Sequence, residues 1–229
     1  MRHRAINFVK RLVKSAFDKE DLKRKRFDEE SVQFQKLMTA NNPEVFEQMY
    51  ASPQLLEHYL DKERLAFYKL VASKIGRFFG DEKKGLSCLD VGCGTGHLLK
   101  ELRAVGFAGR LVGVDTASAA MDSVRGQNAD LEFYSGFLSE QTWAEPFDII
   151  LCTEVLEHCD YPEQLIREMK LAVRPGGTIF ITVPDGRKDT WDGHIHFWSP
   201  ESFKLLITSF GGVASFDYFE NTNFCGIRC

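Results

Sequence analysis

A short run of acidic residues and histidine in the second half of the chain has the composition of a reactive site. Glu154, Glu157 and His158 stand at positions i, i+3 and i+4, so one helical turn would place their side chains on one face. Two carboxylates and an imidazole can bind a divalent cation such as Mg²⁺, Mn²⁺ or Zn²⁺. His194 and His196 follow, and they share one side if their segment is extended, so either could complete the set.

The same histidines also suit proton transfer without a metal. Neutral imidazole accepts protons near physiological pH, which makes His158, His194 and His196 candidate general bases. In that alternative the neighbouring glutamate orders its loop instead of binding a cation. The residue pattern leaves both chemistries open.

The strand in front of this run indicates where the site lies. Residues 147–152 form a mostly apolar segment with the composition of a buried parallel strand. Open α/β sheets bind their ligands at the carboxyl ends of such strands. We therefore expect Glu154 and its neighbours at the ligand-binding edge of a sheet.

A second strand leads into a glycine-rich turn. Residues 86–91 predict a buried strand, residues 92–96 read Gly-Cys-Gly-Thr-Gly, and His97 opens a helix. Glycines allow a tight turn and a close approach of the backbone to a ligand at a helix N-terminus. The next predicted strand ends at Asp115, 19 residues after Gly96, where dinucleotide-type folds bind ribose hydroxyls.

Asp90, two residues before the first glycine of the turn, changes which ligand the turn can bind. The glycine spacing differs from the Gly-x-Gly-x-x-Gly turn that binds pyrophosphate, and a carboxylate there repels phosphate. The same carboxylate attracts an amine-bearing or cationic ligand. These features favour S-adenosylmethionine, with its ammonium and sulfonium groups, and leave a nicotinamide-dependent dehydrogenase as a distant alternative.

Four segments in this order make the sequence similar to the class I S-adenosylmethionine-dependent methyltransferases. Residues 90–96 resemble the first motif of that family, 113–115 the second, 147–152 the fourth strand and 174–181 the turn into the fifth strand. The resemblance covers about residues 84–229. It implies an α/β, Rossmann-like, doubly wound sheet of seven strands in the order 3-2-1-4-5-7-6, with strand 7 antiparallel, preceded by an N-terminal helical extension.

The resemblance also implies which residues bind the cofactor. Asp115 would accept hydrogen bonds from both ribose hydroxyls, and Asp90 would interact with the amino-acid end of the cofactor, directly or through water. The implied residues are Asp90, Gly92, Cys93, Gly94 and Gly96 at the turn, Asp115 and Thr116 after the second strand, Gly136 and Phe137 beside the adenine, and Cys152, Thr153 and Glu154 beside the transferable methyl group.

The segment from Glu154 to His158 is similar to two metal-using branches of the family. The ubiquinone-pathway O-methyltransferases carry Glu-x-x-Glu-His after the fourth strand, and the small-RNA 3′-terminal 2′-O-methyltransferases add a downstream histidine. A metal on Glu154, Glu157 and His158 would bind an acceptor hydroxyl and lower its pKa. Metal-free relatives also share a Glu-His pair here, so the resemblance leaves the metal open.

Charge is divided unevenly along the 229 residues. Residues 1–26 contain ten Lys and Arg against three Asp and Glu, a net charge of +7, and the remaining residues, with 19 against 30, carry −11. An acidic body excludes a protein that coats nucleic acid generally. Residues 5–17 have apolar positions at helical spacing and predict a basic amphipathic helix. It could dock on this chain or on a partner protein, lie on an anionic membrane surface, or act in targeting.

We predict two regions, a basic arm with a helical cap in residues 1–83 and a cofactor-binding domain in residues 84–229. Within the first region, apolar spacing predicts a helix from about Asp61 to Gly80. No stretch reaches the roughly 20 uncharged apolar residues of a membrane span. The six cysteines form no Cys-x-x-Cys pair, which favours reduced thiols and a cytoplasmic location. Residues 1–26 could in addition contact the surface of a membrane.

The leading hypothesis is methyl transfer from S-adenosylmethionine to a hydroxyl oxygen of a small molecule, such as a quinone precursor, a sugar or another secondary metabolite. The aromatic loop from Asp185 to Ser199 is expected to form part of the acceptor site together with the helical front. One alternative is an RNA 2′-O-methyltransferase, which the acidic body disfavours. Another is a catalytically silent cofactor-binding subunit of a complex.

Overall fold

Seven strands form a single mixed sheet in the order β3-β2-β1-β4-β5-β7-β6 in the computed structural model, which describes residues 43–52, 60–122, 130–191 and 193–229. This is the order implied by the sequence, and it is confirmed. The strands are β1 (Cys88–Val91), β2 (Leu111–Asp115), β3 (Glu132–Ser135), β4 (Phe147–Thr153), β5 (Val173–Pro184), β6 (Gly212–Phe219) and β7 (Thr222–Arg228).

The last two strands close the sheet as a hairpin. β7 is antiparallel to both β5 and β6, whereas the pairs β1–β2, β2–β3, β1–β4 and β4–β5 are all parallel. The chain reverses between β6 and β7 at Glu220 and Asn221, whose φ angles are 48° and 60°. Two successive residues with positive φ are the signature of a tight turn that suits the twist of a hairpin.

Helices cover both faces of the sheet. They are α1 (Pro43–Ala51), α2 (Lys62–Phe79), α3 (His97–Ala104), α4 (Ser118–Asp122), α5 (Pro162–Ala172) and α6 (Pro200–Thr208). The side chain of Asp61 caps α2 by accepting a hydrogen bond from the Arg64 amide at 2.7 Å, and α2 ends at Phe79, directly before Gly80. The predicted start and end of this helix are therefore confirmed.

Side chains along each strand point alternately to the two faces of the sheet, which divides the hydrophobic core into two layers. In β1, Leu89 and Val91 belong to the cluster that contains Ile166 of α5 and Phe203 of α6. Cys88, one residue away, belongs to the opposite cluster, which includes residues of α2 and α3. Because successive strand residues point to opposite faces, each strand of the sheet centre is buried on both sides, which explains its uniformly apolar sequence.

The topology locates a crevice at one edge of the sheet. β1 and β4 are neighbours, but the chain continues from β1 to β2 on one side and from β4 to β5 on the other. Ligands bind at the carboxyl ends of strands where the strand order reverses in this way. The segments that leave this point are the turn beginning at Gly92 and the loop beginning at Glu154.

Some of the predictions concern residues outside the described ranges. The basic segment, residues 1–26, and its amphipathic helix lie in the part that the structure does not describe, so both remain predictions. Within the described ranges, no helix combines the length and the apolar character needed to cross a bilayer.

Candidate functional site

The glycine turn approaches the β4 loop so closely that a side chain would not fit. Gly92 and Gly94 have φ angles of 71° and 49°, which non-glycine residues rarely adopt. A Cβ atom on Gly92 would lie 2.4 Å from Cγ2 of Val155, and one on Gly94 would lie 2.7 Å from the Tyr50 hydroxyl. The turn therefore lies tightly between the β4 loop and helix α1.

Asp115, at the end of β2, holds the glycine turn in place. Its Oδ2 atom accepts a hydrogen bond from the Gly94 amide at 2.7 Å, and its Oδ1 atom accepts one from the Ala117 amide at 2.8 Å. Each carboxylate oxygen can accept more than one hydrogen bond, so both oxygens retain capacity for ribose hydroxyls. Burial raises the pKa of Asp115, and the amide donors counteract part of this shift.

A cavity of 510 Å³ opens where these segments meet. Of the residues predicted to bind the cofactor, those that line it are Gly92, Asp115, Thr116, Gly136, Phe137 and Glu154. The others, Asp90, Cys93, Gly94, Gly96, Cys152 and Thr153, belong to the same strand ends, and Asp90 and Cys152 are buried behind the lining. Desolvation and the neighbouring Asp115 raise the pKa of Asp90 well above its usual range.

Glu154 occupies a strained position at the end of β4. Its φ angle is 55°, a conformation that is unfavourable for non-glycine residues and often marks functional sites. The Thr182 hydroxyl donates a hydrogen bond to Oε1 of Glu154 at 2.9 Å, and the Glu154 amide donates to the Thr182 carbonyl at 3.1 Å. Burial raises the pKa of the Glu154 carboxyl to about 7.

The expectation that one helical turn carries Glu154, Glu157 and His158 on one face is wrong. A short 3₁₀ turn begins only at Leu156 and ends at His158, and Glu154 lies outside it. The positive φ at Glu154 interrupts a helical path, and its carboxylate turns to Thr182 instead. The group that the structure brings together is Glu157, His158 and His194, whose candidate ligand atoms lie within 4.8 Å of one another.

Glu157 is buried without a hydrogen-bond partner among the described residues. The residue is 1% exposed, neither carboxyl oxygen accepts or donates a hydrogen bond, and Oε1 is 3.9 Å from Nε2 of His194. A buried carboxylate without compensating donors is costly to ionise. Burial therefore raises the pKa of Glu157 well above its usual range.

The ring nitrogens of His158 and His194 are distinguished by their partners. Nδ1 of His158 lies 3.1 Å from the Gly193 carbonyl, and Nδ1 of His194 contacts the Asp189 carboxylate. Carbonyl and carboxylate oxygens accept, so each Nδ1 carries the proton and each Nε2 keeps its lone pair. Burial and the proximity of His194 lower the pKa of His158 to about 4, and burial lowers the pKa of His194.

His196 does not join this group. Its Nε2 atom lies 2.9 Å from the Cys159 carbonyl, and its ring stacks on Trp198 with centroids 5.1 Å apart. The prediction that His194 and His196 point to one side assumed an extended segment. The chain instead turns at Gly193 and bends at Ile195, so the two rings diverge.

Two contributors to the site, Asp189 and Phe46, have no signal of their own in the sequence, whereas Trp191 belongs to the aromatic loop that was expected near the acceptor. Asp189 and Trp191 come from the loop after β5; Asp189 contacts His194, and the Trp191 ring packs edge-on against both His158 and His194. Phe46 of α1 packs edge-on against His158 at a centroid distance of 5.4 Å. The aromatic character of the loop was the only signal for Trp191, and none pointed to Asp189.

Comparison with known proteins identifies the family. A family model described as "Methyltransferase domain" matches residues 58–224. The chain is a member of that family and is a class I S-adenosylmethionine-dependent methyltransferase. The glycine turn, Asp115 and the strand order are thus those of a methyltransferase that uses S-adenosylmethionine.

Relatives of this methyltransferase include the ubiquinone biosynthesis O-methyltransferase of Hydrogenovibrio crunogenus, which is 33% identical over 131 residues. The match covers 55% of this chain and 50% of the relative. The chain spans about half the length of the curated relatives it matches. Among solved structures, a similar one is the N-methyltransferase NodS from Bradyrhizobium japonicum WM9 in complex with S-adenosyl-L-homocysteine. Its TM-score is 0.64 at 16% identity, and the match covers 81% of this chain and 96% of that one.

A third similar structure is the magnesium protoporphyrin IX methyltransferase from Synechocystis PCC 6803 with bound S-adenosylmethionine. Its TM-score is 0.55 at 14% identity, and the match covers 70% of this chain and 78% of that one. At these identities the solved structures support the fold of the methyltransferase but not its acceptor.

Replacement of Asp115 by Ala is expected to weaken cofactor binding by at least about tenfold, because hydrogen bonds to a charged group contribute about 1.5–3 kcal/mol each. Titration calorimetry with S-adenosylhomocysteine measures the change. Asp130→Ala, which removes a surface carboxylate paired with Arg103, is the matched control. Equal affinities for the wild type and Asp115→Ala would contradict the assignment.

The preference for S-adenosylmethionine over its product is expected to increase severalfold as the pH rises from about 6 to about 8. Glu154, with a pKa of about 7, gains negative charge over this range, and only S-adenosylmethionine carries a sulfonium charge. Dissociation constants of both ligands at each pH give the ratio. Glu154→Gln should remove the pH dependence, and a ratio that changes equally in this variant would rule out Glu154 as its source.

Proposed function

We propose that the protein transfers the methyl group of S-adenosylmethionine to a hydroxyl oxygen of a small-molecule acceptor. One observation carries the proposal: an imidazole whose Nε2 atom is unprotonated, His158, lines the same cavity as Asp115 and Gly92. Neither His194 nor His196 is part of this lining. The residues proposed to bind the methyl donor and a group able to accept a proton therefore line one cavity.

The reaction needs few groups from the protein. The acceptor oxygen attacks the methyl carbon in line with the carbon–sulfur bond, that bond breaks, and the sulfonium charge is lost. The hydroxyl proton passes to Nε2 of His158. With a pKa of about 4 this imidazole stays neutral at physiological pH but is a weak base, so alignment and exclusion of water supply much of the rate.

The cavity lining supports an uncharged or amine-bearing acceptor. Its aromatic residues are Phe46, Tyr50, Phe137 and Tyr161, and its ionisable carboxyl groups are Asp115, Glu154, Asp160 and Glu168. Among the described lining residues there is no Lys or Arg. Such a wall repels phosphate, which disfavours the RNA 2′-O-methyltransferase alternative.

The choice of oxygen rests on His158 and on the relatives. The ubiquinone biosynthesis O-methyltransferases among them act on oxygen by name, whereas NodS is an N-methyltransferase of the same fold. A hydroxyl is a poorer nucleophile than an amine at neutral pH, so a neighbouring base matters more for oxygen. The presence of His158 in the cavity therefore supports a hydroxyl acceptor.

A divalent metal is an alternative to proton transfer to His158, because both would use the Nε2 atom of this residue, and Glu157 supports the alternative. Its two carboxyl oxygens, buried and without partners among the described residues, face a histidine nitrogen that is unprotonated. Glu157, His158 and His194 would hold the ion, and the Nδ1 contacts of both rings would orient them as outer partners commonly do. A bound metal would supply a Lewis acid that lowers the pKa of a hydroxyl.

The basic segment, residues 1–26, is proposed as a contact for an anionic membrane surface or a partner protein, with the enzyme otherwise in the cytoplasm. Its net charge of +7 beside an acidic remainder supports this assignment.

Substitution of His158 by Ala is expected to lower turnover about 10²-fold, the lower range for a positioned base, with little change in S-adenosylhomocysteine affinity. The assay uses trideuteromethyl S-adenosylmethionine with pools of phenols, sugars and amines, and mass spectrometry locates the label. His196→Gln is the matched comparison and should retain turnover, because His196 contacts the Cys159 carbonyl. Labelled nitrogen, or full turnover by His158→Ala, would contradict the proposal.

The metal is tested by titrating chelator-stripped protein with Zn²⁺ and Mn²⁺ in a calorimeter. One site is expected, and Glu157→Gln and His194→Ala should abolish it because each removes a proposed ligand. Glu154→Gln is the control and should retain the site, since its carboxylate is bound to Thr182. No binding by the wild type, together with turnover insensitive to chelator, would exclude the metal.

A further inference from the structure

Asp189 and His194 form a buried pair beside the reactive cluster. The Asp189 carboxylate contacts Nδ1 of His194, and the two side chains are 8% and 7% exposed. The other carboxylate oxygen of Asp189 accepts a hydrogen bond from the Trp191 amide at 3.1 Å. Both oxygens are therefore engaged, one by a ring nitrogen and one by a backbone amide that can only donate.

We propose that Asp189 is a positioning residue, which fixes the imidazole of His194 in the tautomer protonated at Nδ1 and directs its Nε2 lone pair towards Glu157. Neutral imidazole carries one proton, and either nitrogen can hold it. A carboxylate at Nδ1 selects the Nδ1–H form because it only accepts. Nε2, at 3.9 Å from Oε1 of Glu157, then offers a lone pair to the cluster.

The path of the loop does not depend on this contact. The amides of Ile195 and His196 donate to the Glu157 carbonyl at 2.9 and 3.3 Å, and the Gly186 amide donates to the Trp198 carbonyl at 2.9 Å. Backbone hydrogen bonds thus attach the loop to the 3₁₀ turn and join its two ends. A change confined to the Asp189 side chain is expected to act on the His194 ring and to leave the loop in place.

The assignment holds whether or not a metal is bound. The metal site proposed above needs an unprotonated Nε2 on His194. The catalytic consequence of the tautomer rests on the proposed function, but the tautomer itself does not, because it follows from the carboxylate that contacts Nδ1 of His194.

The substitution Asp189→Asn reverses the preference. The Trp191 amide requires an acceptor, so the amide oxygen of Asn occupies that position, and the amide NH₂ group faces Nδ1 of His194. A donor at Nδ1 selects the Nε2–H tautomer. The geometry of the pair is retained, whereas the nitrogen that carries the proton changes.

The experiment is nitrogen-15 NMR of the whole chain labelled at histidine, with chelator present and at about pH 8, where imidazole is neutral. Long-range correlations distinguish the two nitrogens, and the His194 signals are assigned by their loss in His194→Gln. The wild type should show His194 and His158 both protonated at Nδ1. In Asp189→Asn, His194 should change to Nε2–H while His158, held by the Gly193 carbonyl, stays unchanged. Asp189→Glu should restore the Nδ1–H form.

The proposal would be overturned by a wild-type His194 protonated at Nε2, or by a His194 tautomer that is unchanged in Asp189→Asn. It would also be overturned by an equal change of tautomer at His158, because Asp189 would then hold the whole loop and not the His194 ring. Turnover measured with the acceptor should fall in Asp189→Asn with unchanged S-adenosylhomocysteine affinity. If turnover is unaffected while the tautomer reverses, the positioning assignment stands, and a role of His194 as a metal ligand needed for turnover is excluded.

Discussion

Four carboxyl groups lie at the ends of β1, β2 and β4 or in the turn that follows β4. Asp90 and Glu157 are buried and Asp115 and Glu154 are half-buried, and this desolvation constrains what is built around them. Burial raises the pKa of Asp90, Asp115, Glu154 and Glu157. Groups this close and this desolvated cannot all ionise, because each negative charge raises the cost of the next. A ligand with ammonium and sulfonium charges stabilises the ionised forms. The preference for S-adenosylmethionine thus follows from electrostatics as well as from the shape of the glycine turn.

The sheet brings these groups together through register. Val91 pairs with Val114 of β2 and with Cys152 of β4, so the three strands end at the same level. Neighbouring strands are about 4.8 Å apart, which places residues one or two positions beyond each strand within contact range. The turn at Gly92 then fits against Val155 only because it has no side chain. The register of the strands and the absence of a Cβ atom at Gly92 therefore position the site independently of its polar contacts.

The sequence predicted the parts of the site that follow directly from regular elements. Apolar strands, the glycine spacing and Asp115 are local patterns, and the strand order followed from the family they resemble. Helical spacing misplaces Glu154 because the chain leaves the helical path at this residue, whose φ angle is positive, and no periodic pattern reveals a positive φ. Asp189 was not found because it reaches His194 through a loop whose course depends on backbone bonds to Glu157. Such bonds between distant segments leave no signal in residue spacing.

The cavity is lined in part by residues outside the shared domain. The family match begins at residue 58, yet Pro43, Phe46 and Tyr50 of α1 line the cavity. Glu47 attaches α1 to the domain, because its carboxylate accepts hydrogen bonds from the Ser118 hydroxyl at 2.8 Å and from the Ala119 amide at 3.1 Å. Phe46 contacts His158, the group proposed to take the acceptor proton. A helix outside the family match therefore forms part of the wall of the cavity in which the acceptor is proposed to bind.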